Sequence, residues 1–348
     1  MNPIKSISEE RHLVVGAGAI GAGVARLLLD QGCRVAIVTR SGTGPAEAER
    51  VAADAADAEA MARLAQAATV IYNCANPPYH RWPTDWPPIA SSLLGAAERS
   101  AAVLVTLSNL YAYGPAPASL GVHGYDPSHP MTETTPLAAT GTKGRIRAQM
   151  FRDALEAHEA GRVRAVEIRA SDYIGPGANA VMGDRVLPKV LQGRSVTLLG
   201  RADRLHTWTF TADVARLAVI AGRDPMAWGH AWHVPSNPAR TQREVVDDLA
   251  RLAGVAPPST RTLPGSLLHA LGLISPLMRE LSETQYQFRE HFVMDSSAAE
   301  RAFGLRATPW EEVLLTTLRA FGWENRPHPG AKPIVPAPAL ATGERPPR

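Results

Sequence analysis

The sequence predicts an α/β fold, a parallel sheet wound with helices on both faces and joined to a smaller lobe. Three observations point to it. Short apolar runs alternate with helix-period segments through the first 180 residues. The runs are apolar throughout, as strands buried on both faces are. A glycine-rich turn joins the first run to the first helical segment, where a crossover back to a parallel neighbour begins.

The elements follow in order. "HLVVGAG" (12–18) is a strand, "IGAGVARLLLDQG" (20–32) a helix stopped by Gly32, and "RVAIVTR" (34–40) the second strand. A third strand precedes "AADAAD" (52–57), and the helix "AEAMARLAQA" (58–67) leads to the strand "TVIYNCA" (69–75). "IASSLLGAAERS" (89–100) is a helix, "AVLVTLS" (102–108) a strand, the stretch 143–160 a long amphipathic helix, and "VRAVEIRAS" (163–171) a strand.

Beyond Gly175 the rhythm breaks. Loops rich in Gly and Pro separate a helix at 184–193, a strand at 195–200, and helices at 211–222 and 241–254. "SLLHALGLISPLMREL" (266–281) is apolar but interrupted by Gly and Pro, and reads as a helix pair packed on the lobe. The expected division is a sheet domain over 1–178, a mainly substrate-binding lobe over 179–324 interleaved with it, and a disordered Pro-rich tail over 325–348.

Composition narrows the function. The chain has 348 residues, 45% hydrophobic and 20% charged, which is ordinary for a water-soluble globular protein. Its net charge is only +3 and its cations are scattered, several of them in the tail (Arg326, Lys332, Arg345, Arg348), so no nucleic-acid partner is expected. No apolar run is long enough for a membrane span, and the start lacks a signal core, so no membrane partner and a cytoplasmic location are expected. Cys33 and Cys74, the two cysteines, read as small buried residues at strand ends.

The first turn carries the strongest motif. Gly16, Gly18 and Gly21 have Gly-x-Gly-x-x-Gly spacing between a strand and a helix. Such glycines make a tight turn, let backbone approach a pyrophosphate and let the helix pack closely, while Ala19 and Ile20 open a helix whose N-terminus attracts phosphate. This is the signature of a Rossmann-type doubly wound parallel sheet with a dinucleotide coenzyme. After the second strand come Thr39, Arg40, Ser41 and Gly42, with no carboxylate to accept from a ribose 2′-hydroxyl. Arg40 can pair with a 2′-phosphate and Ser41 can donate to it, so NADP(H) is favoured and NAD(H) remains possible.

Further motifs follow in series: "AADAAD" (52–57), "YNCANP" (72–77), "SNLYAYGP" (108–115), "TGTKGR" (140–145), "RASDYIGPG" (169–177), "HTWTFTADVARLA" (206–218) and "DSSAAERAFGLRATPWEE" (295–312). Together they resemble the extended short-chain dehydrogenase/reductases, specifically NAD-dependent epimerase/dehydratase-like proteins, over about residues 12 to 320. The resemblance implies that Asp54 lies near the adenine and that Cys74, Ala75 and Asn76 line the dinucleotide. It puts Ser108 near the nicotinamide ribose, Lys143 on that ribose, and Ala170, Ser171 and Tyr173 beside the nicotinamide. It implies a helix-capping role for Asp213, makes a homodimer plausible, and implies a small-molecule substrate.

Three departures from the family pattern bear on the chemistry. Val15 stands at the first position of the usual Gly-x-x-Gly-x-x-Gly, and Gly16 follows it. Asn109 stands where the family has a hydroxyl residue, with Ser108 one position away. The family's Tyr-x-x-x-Lys reads "ATGTK", so the phenol position is Ala139. The expected arrangement places residues i and i+4 on one helix face, where a lysine lowers the phenol's pKa for proton transfer. Alanine transfers no proton.

Tyr111 is the first candidate replacement, then Tyr125 in the loop 120–130, while Asn109 can polarise a carbonyl. Lys143, Tyr111, Ser108 and Asn109 therefore form the candidate catalytic set. His230 and His233 fall on opposite faces of a strand, and His123, His129 and His158 have no ligand spacing, so no metal site is expected. Ser108 lies in no nucleophile elbow. Arg204 and His206 either face a polar substrate or belong to a solvated, salt-bridged loop. The function expected is reduction of a carbonyl, or transient oxidation within an epimerase or dehydratase cycle. A coenzyme-binding sensor or scaffold without turnover, and a non-redox isomerase or cyclase, are the alternatives.

Overall fold

A computed structural model describes residues 10–115, 126, 128–178, 181–263 and 283–323. The apolar runs become β1 (Arg11–Val15), β2 (Arg34–Thr39), β3 (Glu49–Ala52), β4 (Val70–Asn73), β5 (Val103–Asn109) and β6 (Arg164–Ala170). With β11 (Ala231–His233) they form one seven-stranded sheet of order β11-β6-β5-β4-β1-β2-β3, every pair parallel. The order reverses between β1 and β4, and a doubly wound sheet opens its ligand crevice at the strand C-termini beside that reversal.

Strand alternation sends side chains to two cores. On one face Val14, Ile37 and Val105 pack with α1 (Ala19–Asp30) and α6 (Thr211–Arg223). On the other, Leu13, Val15, Ala36 and Ile71 pack with α2 (Ala58–Ala65) and α3 (Trp82–Ser100). The long helix expected from residue 143 is α4 (Thr142–Glu159), which packs against α3. Helix α2 starts on Asp57, whose carboxylate accepts from the amides of Glu59 and Ala60.

Helix α3 begins seven residues before the expected start at residue 89, despite Pro83, Pro87 and Pro88. Its extra turns survive because Trp82 and Trp86, one turn apart, are fully buried and the Arg147 guanidinium stacks over both rings at 4.7 and 4.4 Å. Tertiary packing there outweighs the missing proline amides.

A third apolar cluster lies outside the sheet. It joins α5 (Leu187–Leu191), β8 (Val196–Leu199), α7 (Gln242–Ala253) and α9 (Trp310–Ala320), through Leu187, Val190, Val246, Leu249 and Leu314 among others. Helix α5 is shorter than the expected 184–193 because the residues before Leu187 run through turns. Helix α7 carries a capping box, Thr241 with Glu244, and stops at Gly254 in the left-handed region. Strand β7 (Asp172–Ile174) pairs with β10 (Trp208–Phe210), and β9 (Leu205–His206) with β12 (Arg240–Thr241), linking this lobe to the end of β6.

Two sequence expectations are revised. Asp213 does not cap its own helix; its carboxylate accepts from the backbone and hydroxyl of Thr308 (2.8 and 2.6 Å) and pairs with Arg216. Ala139 lies in the loop before α4 rather than on a helix face with Lys143. The 266–281 helix pair, the tail after 323, His123 and Tyr125 lie outside the described residues. Cys33 and Cys74 are free thiols, and among the described residues no helix is long and apolar enough to cross a membrane.

Candidate active site

The glycine turn is shaped by what surrounds it. Gly16 has φ +105°, and a Cβ there would sit 2.6 Å from the Cys74 carbonyl oxygen. A Cβ on Gly21 would overlap the Gly16 carbonyl. Val15, at the family's first glycine position, is instead the last buried residue of β1. Gly18 differs: a Cβ on it would meet nothing within 4 Å. It is the N-cap of α1, with no side-chain cap and no acidic residue in the first turn. Open space in front of uncapped helix amides fits the pyrophosphate of a dinucleotide.

Two hollows meet at this turn, sharing Gly18, Cys74, Ala75 and Asn76, so the cleft is continuous. One end runs over the tips of β2 and β3, past Arg40, Ser41 and Asp54. Arg40 is exposed and, among the described residues, makes no ion pair. Asp54 accepts the Ala56 amide at 3.0 Å. The other end passes Ala19, Ile20 and Gly21, then Ser108, Asn109 and Tyr111, and reaches Ala170 to Tyr173. Residues from both ends that the sequence grouped as coenzyme contacts thus line one continuous cleft.

At the inner end the cleft holds tyrosines. The hydroxyls of Tyr111 and Tyr79 lie 2.9 Å apart. Burial raises the Tyr111 phenol well above its usual range, and the neighbouring Tyr79 and Asp172 add to the rise. Burial raises Tyr79 and Tyr173 as well. All three are neutral phenols near pH 7. Ser108 is 2% exposed and its Oγ has no partner among the described residues, so an unpaired hydroxyl faces this end. Asn109 turns its side-chain oxygen onto the Tyr111 amide at 3.1 Å, which holds the turn and leaves the NH₂ for the cleft.

Lys143 is not among the residues lining the cleft. Its ammonium is 2.8 Å from Glu283 Oε2, its amide donates to Glu283 Oε1 at 2.7 Å, and it sits 5.4 Å over the Tyr79 ring, 2% exposed. The ribose contact implied by the resemblance would bring this ammonium into a cleft it does not line. Ala139 fits against Gly114, where a Cβ would lie 2.5 Å from the Ala139 Cα, and against Gly144.

Several neighbours of the cleft were not singled out from the sequence. Tyr79 follows β4 in "NPPYHRW", a signal that only the Tyr111 contact makes meaningful. Asp172 sits inside a quoted motif, the one charged side chain in the run from Ala170 to Tyr173. Arg147 and Gln287 also line this end. His206 is not on a solvated loop: it is 1% exposed, stacked between Phe288 and Phe292 (centroids 5.0 and 5.3 Å), with Nε2 2.7 Å from Asp172 Oδ2. Arg204 lines neither end of the cleft.

Behind the cleft a buried network braces β5 and β6. Arg169 donates to Tyr113 Oη at 2.8 Å and pairs with Glu167 at 2.6 Å, and the Tyr113 hydroxyl meets His233 Nε2 at 2.7 Å. Burial pushes the Tyr113 phenol up to about 12 and holds His233 down at about 3. Among the described residues one grouping has metal-ligand side chains, Glu10, His12 and Cys33. The Arg223 guanidinium reaches its Glu10 and Cys33 atoms at 2.8 and 2.9 Å, so a cation already fills the place a metal ion would take.

Solved structures share the fold. A dTDP-glucose 4,6-dehydratase from Bacillus anthracis, solved in complex with NAD, superposes with a TM-score of 0.72 at 16% identity, over 90% of this chain and 96% of the other. A UDP-glucose 4-epimerase from Thermotoga maritima with UDP-glucose gives 0.71 at 18%, over 90% and 98%. The Thermus thermophilus UDP-glucose 4-epimerase with NAD gives 0.69 at 20%, over 90% and 99%. At such identities the likeness is one of fold. No curated protein sequence matches the chain. The model of the NAD dependent epimerase/dehydratase family matches residues 12–234, well over half the sequence, and the chain belongs to that family.

Proposed function

We propose that the protein is an NADP(H)-dependent oxidoreductase, or an epimerase or dehydratase with a transient oxidation in its cycle, acting on a small polar carbonyl or hydroxyl compound. The observation that carries the reading is the unbroken cleft from Arg40, across the bare N-terminus of α1, to the hydroxyls of Ser108 and Tyr111. The residues along it come in the order in which a dinucleotide would lie from adenosine to reactive ring. NADP(H) over NAD(H) is supported by Arg40 and by the absence of a carboxylate in the run from Thr39 to Gly42.

Bound there, a pyridine coenzyme would supply the hydride donor or acceptor. The protein's own residues do the rest. The first amides of α1 hold the pyrophosphate, and Arg40 with Ser41 holds the 2′-phosphate. Ser108 and Tyr111 donate to the substrate oxygen, Tyr79 fixes the Tyr111 hydroxyl, and residues 179–324 supply most of the substrate-facing lobe. Because both phenols stay neutral, Tyr111 relays a proton only by giving one while receiving another.

A second reading, coenzyme binding without turnover, is favoured by Ala139 and by the engagement of Lys143 with Glu283. Nicotinamide absorbance, followed over a panel of ketones, aldehydes and nucleotide sugars, separates the two. A substrate-dependent change supports the enzyme. Coenzyme binding with no absorbance change across the panel supports the second reading.

A further inference from the structure

The tyrosines at the inner end are neutral, and the family's phenol position is alanine, so the cleft as built from the motif residues lacks a group that can keep a proton. The side chain that meets this need is Asp172. It stands at the C-terminal side of β6, the first residue of β7, and lines the inner cleft with Tyr79, Tyr111 and Tyr173. Its negative charge acts on all three phenols. The side chain is 19% exposed, yet Oδ2 is buried and has no aligned hydrogen bond among the described residues. Oδ2 is turned to His206, which leaves Oδ1 as the oxygen available to the cleft.

His206 fixes that orientation. Its ring is clamped between Phe288 and Phe292, Nδ1 is 3.2 Å from the Gln287 carbonyl oxygen, and Nε2 is 2.7 Å from Asp172 Oδ2. The ring N–H is not aimed along that last line, so the contact is a close approach and not an aligned hydrogen bond. Asp172 Oδ2 and His206 Nε2 face each other at this separation with neither making an aligned hydrogen bond, an arrangement that costs free energy unless a proton or a ligand completes it.

We infer that Asp172 is the proton acceptor and donor of the cleft, standing in for the missing phenol at position 139, and that His206 is its positioning residue. This rests on the redox reading above. In the oxidative direction Asp172 would take the O–H proton of the substrate carbinol, and a bound oxidised coenzyme would supply the acceptor for the hydride that leaves with both electrons of the C–H bond. A C=O bond forms, Asp172 ends as the carboxylic acid, and reduction runs the same transfers backwards.

The test needs no substrate. A carboxylate at this end favours the cationic ring of NADP⁺ over the neutral ring of NADPH, so the ratio of the two dissociation constants reports its charge. Calorimetry on the full chain is expected to show Asp172→Asn weakening NADP⁺ relative to NADPH by about three- to tenfold. Asp172→Glu is expected to stay near the native ratio. An unchanged ratio in a folded Asp172→Asn protein overturns the inference; if that variant does not fold, Asp172→Ser carries the same expectation. If the native chain binds neither form, the redox reading itself has failed, which is a different result.

His206 is read by the same ratio. The groups facing Asp172 are Tyr79, Tyr111, Tyr173 and His206, with the Arg147 guanidinium beside the tyrosines. His206→Phe keeps the stack and removes the ring nitrogen that meets Asp172 Oδ2, and is expected to shift the ratio in the same direction as Asp172→Asn, by about twofold or more, in a protein that stays folded. An unmoved ratio removes His206 from the assignment.

Discussion

The hydroxyl of Tyr79 lies 2.9 Å from that of Tyr111, joining the turn after β4 to the turn after β5 across the inner cleft. Tyr111 is buried and Tyr79 half-buried, and each hydroxyl has the other as a hydrogen-bond partner, with Gln287 also acting on that of Tyr111. Replacing either tyrosine by phenylalanine should destabilise the fold by about 1–2 kcal/mol, and the double replacement by much less than the sum. Urea denaturation of the three variants checks this. Additive losses would mean that the hydroxyls do not depend on each other. In any turnover assay that responds to substrate, Tyr111→Phe should lower the rate by about 10²-fold or more while coenzyme affinity holds.

The glycines of the first turn should separate stability from binding. Gly16→Ala forces a Cβ within 2.6 Å of the Cys74 carbonyl oxygen at φ +105°, so the fold should lose several kcal/mol, on the order of 3 or more. Gly18→Ala meets nothing within 4 Å in the protein and should leave the thermal midpoint within about 2 °C, while coenzyme affinity falls by about tenfold or more. Thermal shift with and without coenzyme reads both effects. An alanine at 18 that leaves affinity untouched would remove the pyrophosphate from this turn.

The Lys143–Glu283 pair, 2.8 Å apart with the lysine 2% exposed, should be structural before it is anything else. Glu283→Gln keeps the shape and removes the counter-charge, which should destabilise the coenzyme-free protein by about 1–3 kcal/mol. If the ammonium then reaches the ribose, saturating coenzyme should recover part of that loss. Chemical denaturation with and without NADPH measures both quantities.

Acid should weaken the fold through two buried histidines. Burial holds His233 down at about 3, and burial with the Arg223 charge holds His12 down at about 4, against about 6.5 for each in the unfolded chain. Between those values the unfolded chain binds the protons and the native chain does not, so stability is full above about pH 6.5 and falls as pH drops. With both contributing, the slope should approach about 2.7 kcal/mol per pH unit between pH 6 and 4.5. Denaturant midpoints across that range test it, and His12→Gln or His233→Gln should each flatten the slope by about half.

The sheet, its crossover helices and the glycine turn were legible because local pattern encodes them. Apolar runs, a Gly-x-Gly-x-x-Gly turn and the bare start of α1 are all read within twenty residues of each other. The inner end of the cleft was not, because its contacts join distant positions. Glu283 meets Lys143 across 140 residues, and Tyr79 meets Tyr111 across 32. Asp172 lay in plain view within "RASDYIGPG", but its meaning depends on a histidine 34 positions away that reads as loop until two phenylalanines enclose it. Trp82 and Trp86 extended α3 through three prolines for the same reason: the guanidinium that holds them comes from another helix.

Titration calorimetry of NADPH and NADH into the full chain, with Arg40→Ala alongside, tests the central claim most directly. The account predicts that NADPH binds about tenfold more tightly than NADH and that the arginine variant loses most of that margin. Absence of binding heat and of thermal stabilisation with either coenzyme, in folded protein, would contradict it.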